Sequence, residues 1–113
     1  MLERTTRANL LYDFYGSLLS DKQREFFELY YHDDWSLREI ADKYEVSRQG
    51  VYDIIRRSEK SLEDFDSKLG LYNAHIYRNQ IYESILNIIL TSQLTDNNKQ
   101  EIINLVQNLQ MND

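Results

Sequence analysis

The sequence contains no cysteine and no proline, and only three glycines in 113 residues, Gly16, Gly50 and Gly70. Without cysteine there is no disulfide framework, no thiolate metal site and no thiol nucleophile. That usage fits a reducing cytoplasm, the compartment expected for this chain. A sheet protein of this length needs many tight turns, which draw on glycine and proline. Their scarcity points to an all-α fold. Long apolar runs are missing too: none approaches the roughly 18 uninterrupted apolar residues that a membrane-spanning helix needs. Met1-Leu2-Glu3-Arg4-Thr5-Thr6-Arg7 leads into no apolar signal core. The expectation is a protein neither secreted nor inserted in a membrane. Basic charge is also in short supply, with 13 Lys and Arg against 19 Asp and Glu and a net charge of −6. Proteins that coat nucleic acid carry a basic face, so any such binding here must come from a local surface on an acidic body.

The residues that are present describe a globular protein. Apolar residues make up 42% and charged residues 28%, the balance of a folded soluble domain. A chain of this size buries roughly two-thirds of its unfolded surface. Leu10, Leu11, Phe14, Leu18 and Leu19 recur at threes and fours, so residues 5–18 read as an amphipathic helix. Ser20-Asp21-Lys22-Gln23 is a capping box, and the helix after it carries Phe26, Phe27, Leu29, Tyr30 and Tyr31 until the polar turn His32-Asp33-Asp34. Ser36-Leu37-Arg38-Glu39 is a second box, opening a short helix with Leu37, Ile40 and Ala41 inward. Tyr44-Glu45-Val46 breaks the period. Ser47 then caps a long helix that turns Val51, Ile54 or Ile55, Ser58, Leu62 and Phe65 inward and stops at Gly70.

Beyond Gly70 the chain is rich in Ile, Leu and Asn and poor in Lys and Arg. Tyr77, Ile81, Ile85 and Ile88 form one stripe of a helix over residues 71–90, and Tyr82, Leu86 and Ile89 form a second beside it. The combined face is wider than one neighbouring helix requires. It serves either internal packing or a subunit interface, and Ile81, Ile85, Leu86 and Ile89 are the candidates for a homodimer contact. Thr95 can cap a last helix with Ile102, Leu105, Val106 and Leu109 inward. The expected organisation is a four-helix unit over residues 1–69 and a helical extension over 70–113.

Residues 36–57 have the layout of a helix-turn-helix: short helix, three-residue turn, capped longer helix. Ala41 is small enough for the second helix to approach. Val46 is placed to close the turn against Ile40 and Val51. Ser47 leaves the first amides of the second helix pointing outward, where a phosphate can sit. In such units the N-terminal turns of the second helix enter the major groove. Here those turns present Arg48, Gln49, Tyr52 and Asp53; Arg and Gln suit bidentate contacts to guanine and adenine edges. Arg56, Arg57 and Lys60 follow and can hold backbone phosphates. The same side chains also fit a solvated helix face, with Arg57 paired to Asp53 at i,i+4, and Tyr52 fits a protein interface as well as a base stack.

Residues 36–57 resemble the helix-turn-helix of sigma-factor region four. More closely, Leu11-Tyr12-Asp13-Phe14-Tyr15-Gly16, Leu18-Leu19-Ser20-Asp21-Lys22-Gln23-Arg24, Leu29-Tyr30-Tyr31 and Val46-Ser47-Arg48-Gln49-Gly50-Val51-Tyr52-Asp53 are similar to the YlxM family of small bacterial helix-turn-helix proteins. The likeness covers about residues 9–69. It implies a DNA-binding regulatory or accessory role linked to the signal recognition particle, whose genes neighbour those of the family. DNA or components of that ribonucleoprotein are the partners it implies. The alternative is a protein-interaction adaptor that uses the same scaffold without DNA. Relative to sigma factors, Gly50, Tyr52 and Asp53 stand where the groove-entering turn is denser in Arg, Glu and Gln.

Nothing in the pattern calls for catalysis. There is no Gly-rich phosphate loop, the carboxylates are scattered, and His32-Asp33-Asp34 and His75 repeat at no ligand spacing. No enzyme activity, cofactor or metal is expected. The Tyr and Phe residues from Tyr12 to Tyr31 read as core and rim, with Trp35 packed on them as a hydrophobic staple.

Overall fold

Four helices begin where the sequence supplies a cap, at Ser20, Ser36, Ser47 and Thr95, and where these caps fall shapes the architecture. A computed structural model describes residues 2–111. Among these residues are six α-helices and no strand: α1 Leu2–Tyr15, α2 Asp21–Tyr31, α3 Leu37–Tyr44, α4 Arg48–Leu69, α5 Leu71–Leu90 and α6 Asp96–Met111. A 3-10 turn, Gly16–Leu18, follows α1. The fold is all-α. Two compact units divide the chain, Met1–Tyr72 and Asn73–Asp113.

In the first unit α1 buries Ala8, Leu11 and Tyr15. The helix over residues 5–18 ends sooner than its periodicity predicts, because the Tyr12 ring lies 2.8 Å from where a Cβ on Gly16 would stand. The chain passes beneath that ring by tightening to 3-10 geometry, which changes the angular period. Leu19 is thereby buried and Leu18 is turned out, 55% exposed, while Leu10 and Phe14 are only half-buried.

Two apolar clusters form the core. Ala8, Leu11, Tyr15, Leu19, Phe27 and Leu62 make the first. Phe26, Ile40, Ala41, Val51 and Ile55 make the second, with Trp35 and Leu37 packed against it. Phe26 and Phe27 are consecutive on α2 and feed different clusters, so this helix is wedged between them. Helix α4 spans both, Val51 and Ile55 at one end and Leu62 further on. Of Ile54 and Ile55, the inward residue is Ile55. Ser58 is buried too, and its hydroxyl is satisfied by donating to the Ile54 carbonyl at 2.8 Å.

Tyrosine hydroxyls bond the helices to one another. Tyr12 of α1 donates to Glu28 of α2, Tyr31 of α2 to Glu59 of α4, and Tyr44 of α3 to Glu25 of α2. Tyr15 donates to the buried Asp66 of α4 at 2.8 Å. The same Asp66 oxygen accepts the Tyr72 amide at 3.0 Å, and the Tyr15 hydroxyl accepts the Leu71 amide at 3.1 Å. Gly70, with φ +66°, ends α4 in the left-handed region. It offers no capping side chain to α5, so Asp66 and Tyr15 take the first two orphan amides of that helix. Arg7 adds an ion pair to Glu63 at 2.7 Å, which holds the Glu63 carboxyl below its ordinary range.

In the second unit the Thr95 hydroxyl accepts the Asn98 amide at 3.2 Å and opens α6 as expected. Gln110 Nε2 reaches Glu83 Oε1 at 3.4 Å, so α6 doubles back to the middle of α5. The burial pattern of α6 has a register different from the sequence expectation. The inward positions of α6 are Ile102, Ile103, Val106 and Gln110, while Leu105 and Leu109 are exposed. Gln110 occupies the end of the inward stripe, where apolarity alone favoured Leu109. On α5 the second stripe is covered, with Ile89 buried and Tyr82 and Leu86 half-buried. The first stripe, Tyr77, Ile81, Ile85 and Ile88, is open.

Candidate nucleic-acid interface

Local chemistry sets the α3–turn–α4 motif. Ser36 and Glu39 form a reciprocal capping box at 3.1 Å in both directions, which fixes the start of α3. Its end is set by Glu45, a non-glycine residue in the left-handed region at φ 55°. The Val46 amide then returns to the Ala41 carbonyl at 3.1 Å. That backbone bond closes the turn. The Val46 side chain does not, contrary to the sequence expectation: it is 39% exposed and lies outside the cluster containing Ile40 and Val51. The αL residue before it rotates the side chain outward.

Ser47 caps α4 as the sequence predicts, its Oγ accepting the Gly50 amide at 2.9 Å. Gly50 is tight against that cap, since a Cβ there would stand 3.1 Å from the Ser47 oxygen. Val51 and Ile55 anchor the helix inward. Arg48, Gln49, Tyr52, Asp53, Arg56, Arg57 and Lys60 all lie on its exposed side. Leu37, Arg48, Gln49 and Tyr52 line a shallow open recess at its N-terminal end.

The exposed residues are not independent of each other. Gln49 Nε2 donates to Asp53 Oδ1 at 2.9 Å. The carboxylate is thus claimed from the preceding turn, and Arg57 does not pair with it as expected. Arg57 Nε instead lies 3.4 Å from the Asp53 backbone carbonyl. Arg56 Nη1 sits 3.5 Å from Glu59, and its guanidinium lies 5.9 Å from the centre of the Tyr52 ring. Arg48 and Lys60 have no ion-pair partner among the described residues. Two cations that the sequence pattern did not single out also belong to the motif. Arg38 is exposed on α3, and the Lys43 ammonium lies 5.1 Å over the Trp35 ring. Only a view of α3 as part of the same surface would have drawn attention to them.

The four residues expected at a dimer contact are not equivalent. Ile81 and Ile85 are exposed, Leu86 is half-buried, and Ile89 is inside, 6% exposed. Ile89 is therefore a core residue of its unit and not a surface contact. His32 is edge-on to the rings of Tyr12 and Phe27. Among the described residues no three His, Asp or Glu side chains converge to hold a metal ion, and no helix is long and apolar enough to cross a membrane.

Residues 2–106 match the family described as "Putative helix-turn-helix protein, YlxM / p13 like". The chain belongs to that family. A UPF0122 protein of Streptococcus suis (strain 98HAH33) is 54% identical over 86 residues, 76% of each chain. A UPF0122 protein of Streptococcus pneumoniae (strain Hungary19A-6) is 54% identical over 85 residues, covering 75% of this chain and 77% of the relative. The family match runs from α1 into α6, so the C-terminal helices are part of the family's chain and not an appendage to it.

Proposed function

We propose that the protein is a non-enzymatic, DNA-binding regulatory protein that reads duplex DNA with the N-terminal half of α4. The observation that carries this reading is the motif itself. Ser47 caps α4, Val51 and Ile55 lock its inner face, and Arg48, Gln49 and Tyr52 stand exposed around a recess at the end that enters a groove in such units. Arg48 and Gln49 then contact base edges, and Arg56, Arg57 and Lys60 hold phosphates. A helix-turn-helix reads a two-fold site best as a dimer, and the open α5 stripe through Ile81 and Ile85 is the surface for that pairing. Its setting is the cytoplasm and its physiological context the signal recognition particle pathway.

The test is fluorescence anisotropy of a labelled mixed-sequence duplex at low salt. Wild type raises the anisotropy, and Arg48→Ala/Arg56→Ala binds more weakly. Equal binding by the two proteins would remove α4 as the reading element.

One observation favours the adaptor reading. Gln49 is already bonded to Asp53, which places a carboxylate in the groove-facing turn of a protein with net charge −6. Under that reading Arg48, Tyr52 and Arg56 dock a protein surface, a composition typical of interface hot spots. Recovery of targeting-particle components that survives nuclease treatment supports it, and loss on nuclease supports nucleic acid.

A further inference from the structure

Away from the N-terminal turns of α4, a half-open pocket of about 460 Å³ lies between α1 and the middle of α4. That is the size of a small-molecule site. Its base is the edge of the first core cluster at Ala8, Leu11 and Leu62, where only Ala8 keeps any appreciable exposure, and its walls are the side chains of Arg7, Arg56, Arg57, Lys60, Glu59 and Glu63. The charges sort themselves by distance. Arg7 holds Glu63 through two hydrogen bonds at 2.7 and 2.8 Å, and Arg56 lies 3.5 Å from Glu59. Arg57 and Lys60 remain, with no carboxylate within ion-pair distance among the described residues. The Arg7–Glu63 fork pins one wall, so the pocket is largely built before anything enters it.

We propose that this pocket binds a small amphipathic anion, its apolar part against Ala8 and the methylene stems of the wall side chains and its carboxylate or phosphate between Arg57 and Lys60. An uncharged apolar ligand would leave Arg57 and Lys60 without a counter-ion. A bare inorganic anion would leave the floor unfilled. Only a ligand with both halves uses both features. Its regulatory consequence rests on the DNA-binding reading: Arg57 and Lys60 are also the phosphate-holding residues proposed there, so an occupied pocket opposes duplex binding. The site itself does not need that reading.

The test uses the full chain without DNA, so it reports on the pocket alone; the duplex titration reports on the other reading. Octyl phosphate, below its micelle concentration, is titrated into ¹⁵N-labelled protein. Saturable shifts are expected at the amides of Ala8, Leu11, Arg57, Lys60, Leu62 and Glu63. Affinity should fall about tenfold or more in Arg57→Ala/Lys60→Ala, the loss expected when charge-assisted contacts are removed. Both positions are exposed, so the variant keeps its fold, which its spectrum checks directly. Inorganic phosphate should bind far more weakly. No saturable shift, equal affinity for inorganic phosphate, or unchanged affinity in the double variant would each overturn the proposal.

Discussion

The chain holds nine tyrosines and an excess of carboxylates, and in the first unit these two features answer each other. Tyr12, Tyr15, Tyr31 and Tyr44 each donate to a carboxylate on another helix. A single sequence shows which tyrosines fall on an apolar stripe, so their place in core and rim was legible. It cannot show which of many acids a hydroxyl meets across helices, and Asp66 carried no signal at all. Tyr15→Phe removes a group that both donates to Asp66 and accepts from the Leu71 amide. It should cost about 1–3 kcal/mol, the usual penalty for orphaning buried polar partners. Urea denaturation measures it, and a loss under about 0.5 kcal/mol would show that the network is incidental. Tyr44 supplies a pH dependence. Its hydrogen bond to Glu25, with desolvation, pushes its phenol up to about 12 from an ordinary value of 10.0. A raised value means the folded state favours the protonated phenol. The stabilisation is therefore complete below the unfolded value and is lost as pH rises through the folded one. Melting temperature should fall between about pH 10 and 12, and fall less steeply in Tyr44→Phe; identical profiles would contradict the role of this bond.

At the scale of the helices, what was legible is what is local. The capping residues Ser20, Ser36, Ser47 and Thr95 and the stop at Gly70 act within four residues of themselves, and each sits where the sequence places it. The misses are tertiary. The α1 boundary depends on the Tyr12 ring over Gly16, and the α6 register depends on how that helix packs within its own unit, with Val106 buried and Leu105 and Leu109 exposed. The Val46 orientation depends on a left-handed Glu45, which no residue type announces. Since α4 begins at an exposed cap and carries the proposed reading face, Ser47→Ala should cost about 1 kcal/mol. Hydrogen exchange should quicken first at the amides of Gly50 and Val51. Unchanged exchange there would mean that packing through Val51, not the cap, holds this end.

For the molecule as a whole, charge distribution is the central issue. The net charge is −6, and five of the 19 acidic residues are held within the first unit, Glu25, Glu28, Glu59 and Asp66 by tyrosine hydroxyls and Glu63 by Arg7. The basic residues of α4 are left on the surface. Any basic face is therefore local, carried by the exposed Arg48, Arg57 and Lys60. The open α5 stripe bears on assembly. Ile85→Asp should lower the mass seen by light scattering if copies pair through Ile81 and Ile85, and an unchanged dimer mass in a folded variant would place the interface elsewhere. The most direct test of the account is the salt dependence of duplex binding, measured for wild type and for Arg57→Ala/Lys60→Ala. Each phosphate contact contributes about 0.9 to the slope of log K against log salt, so the double variant should lose nearly two units of slope. An unchanged slope, or no binding at low salt, would contradict a phosphate-holding α4 and leave the motif as a protein-docking scaffold.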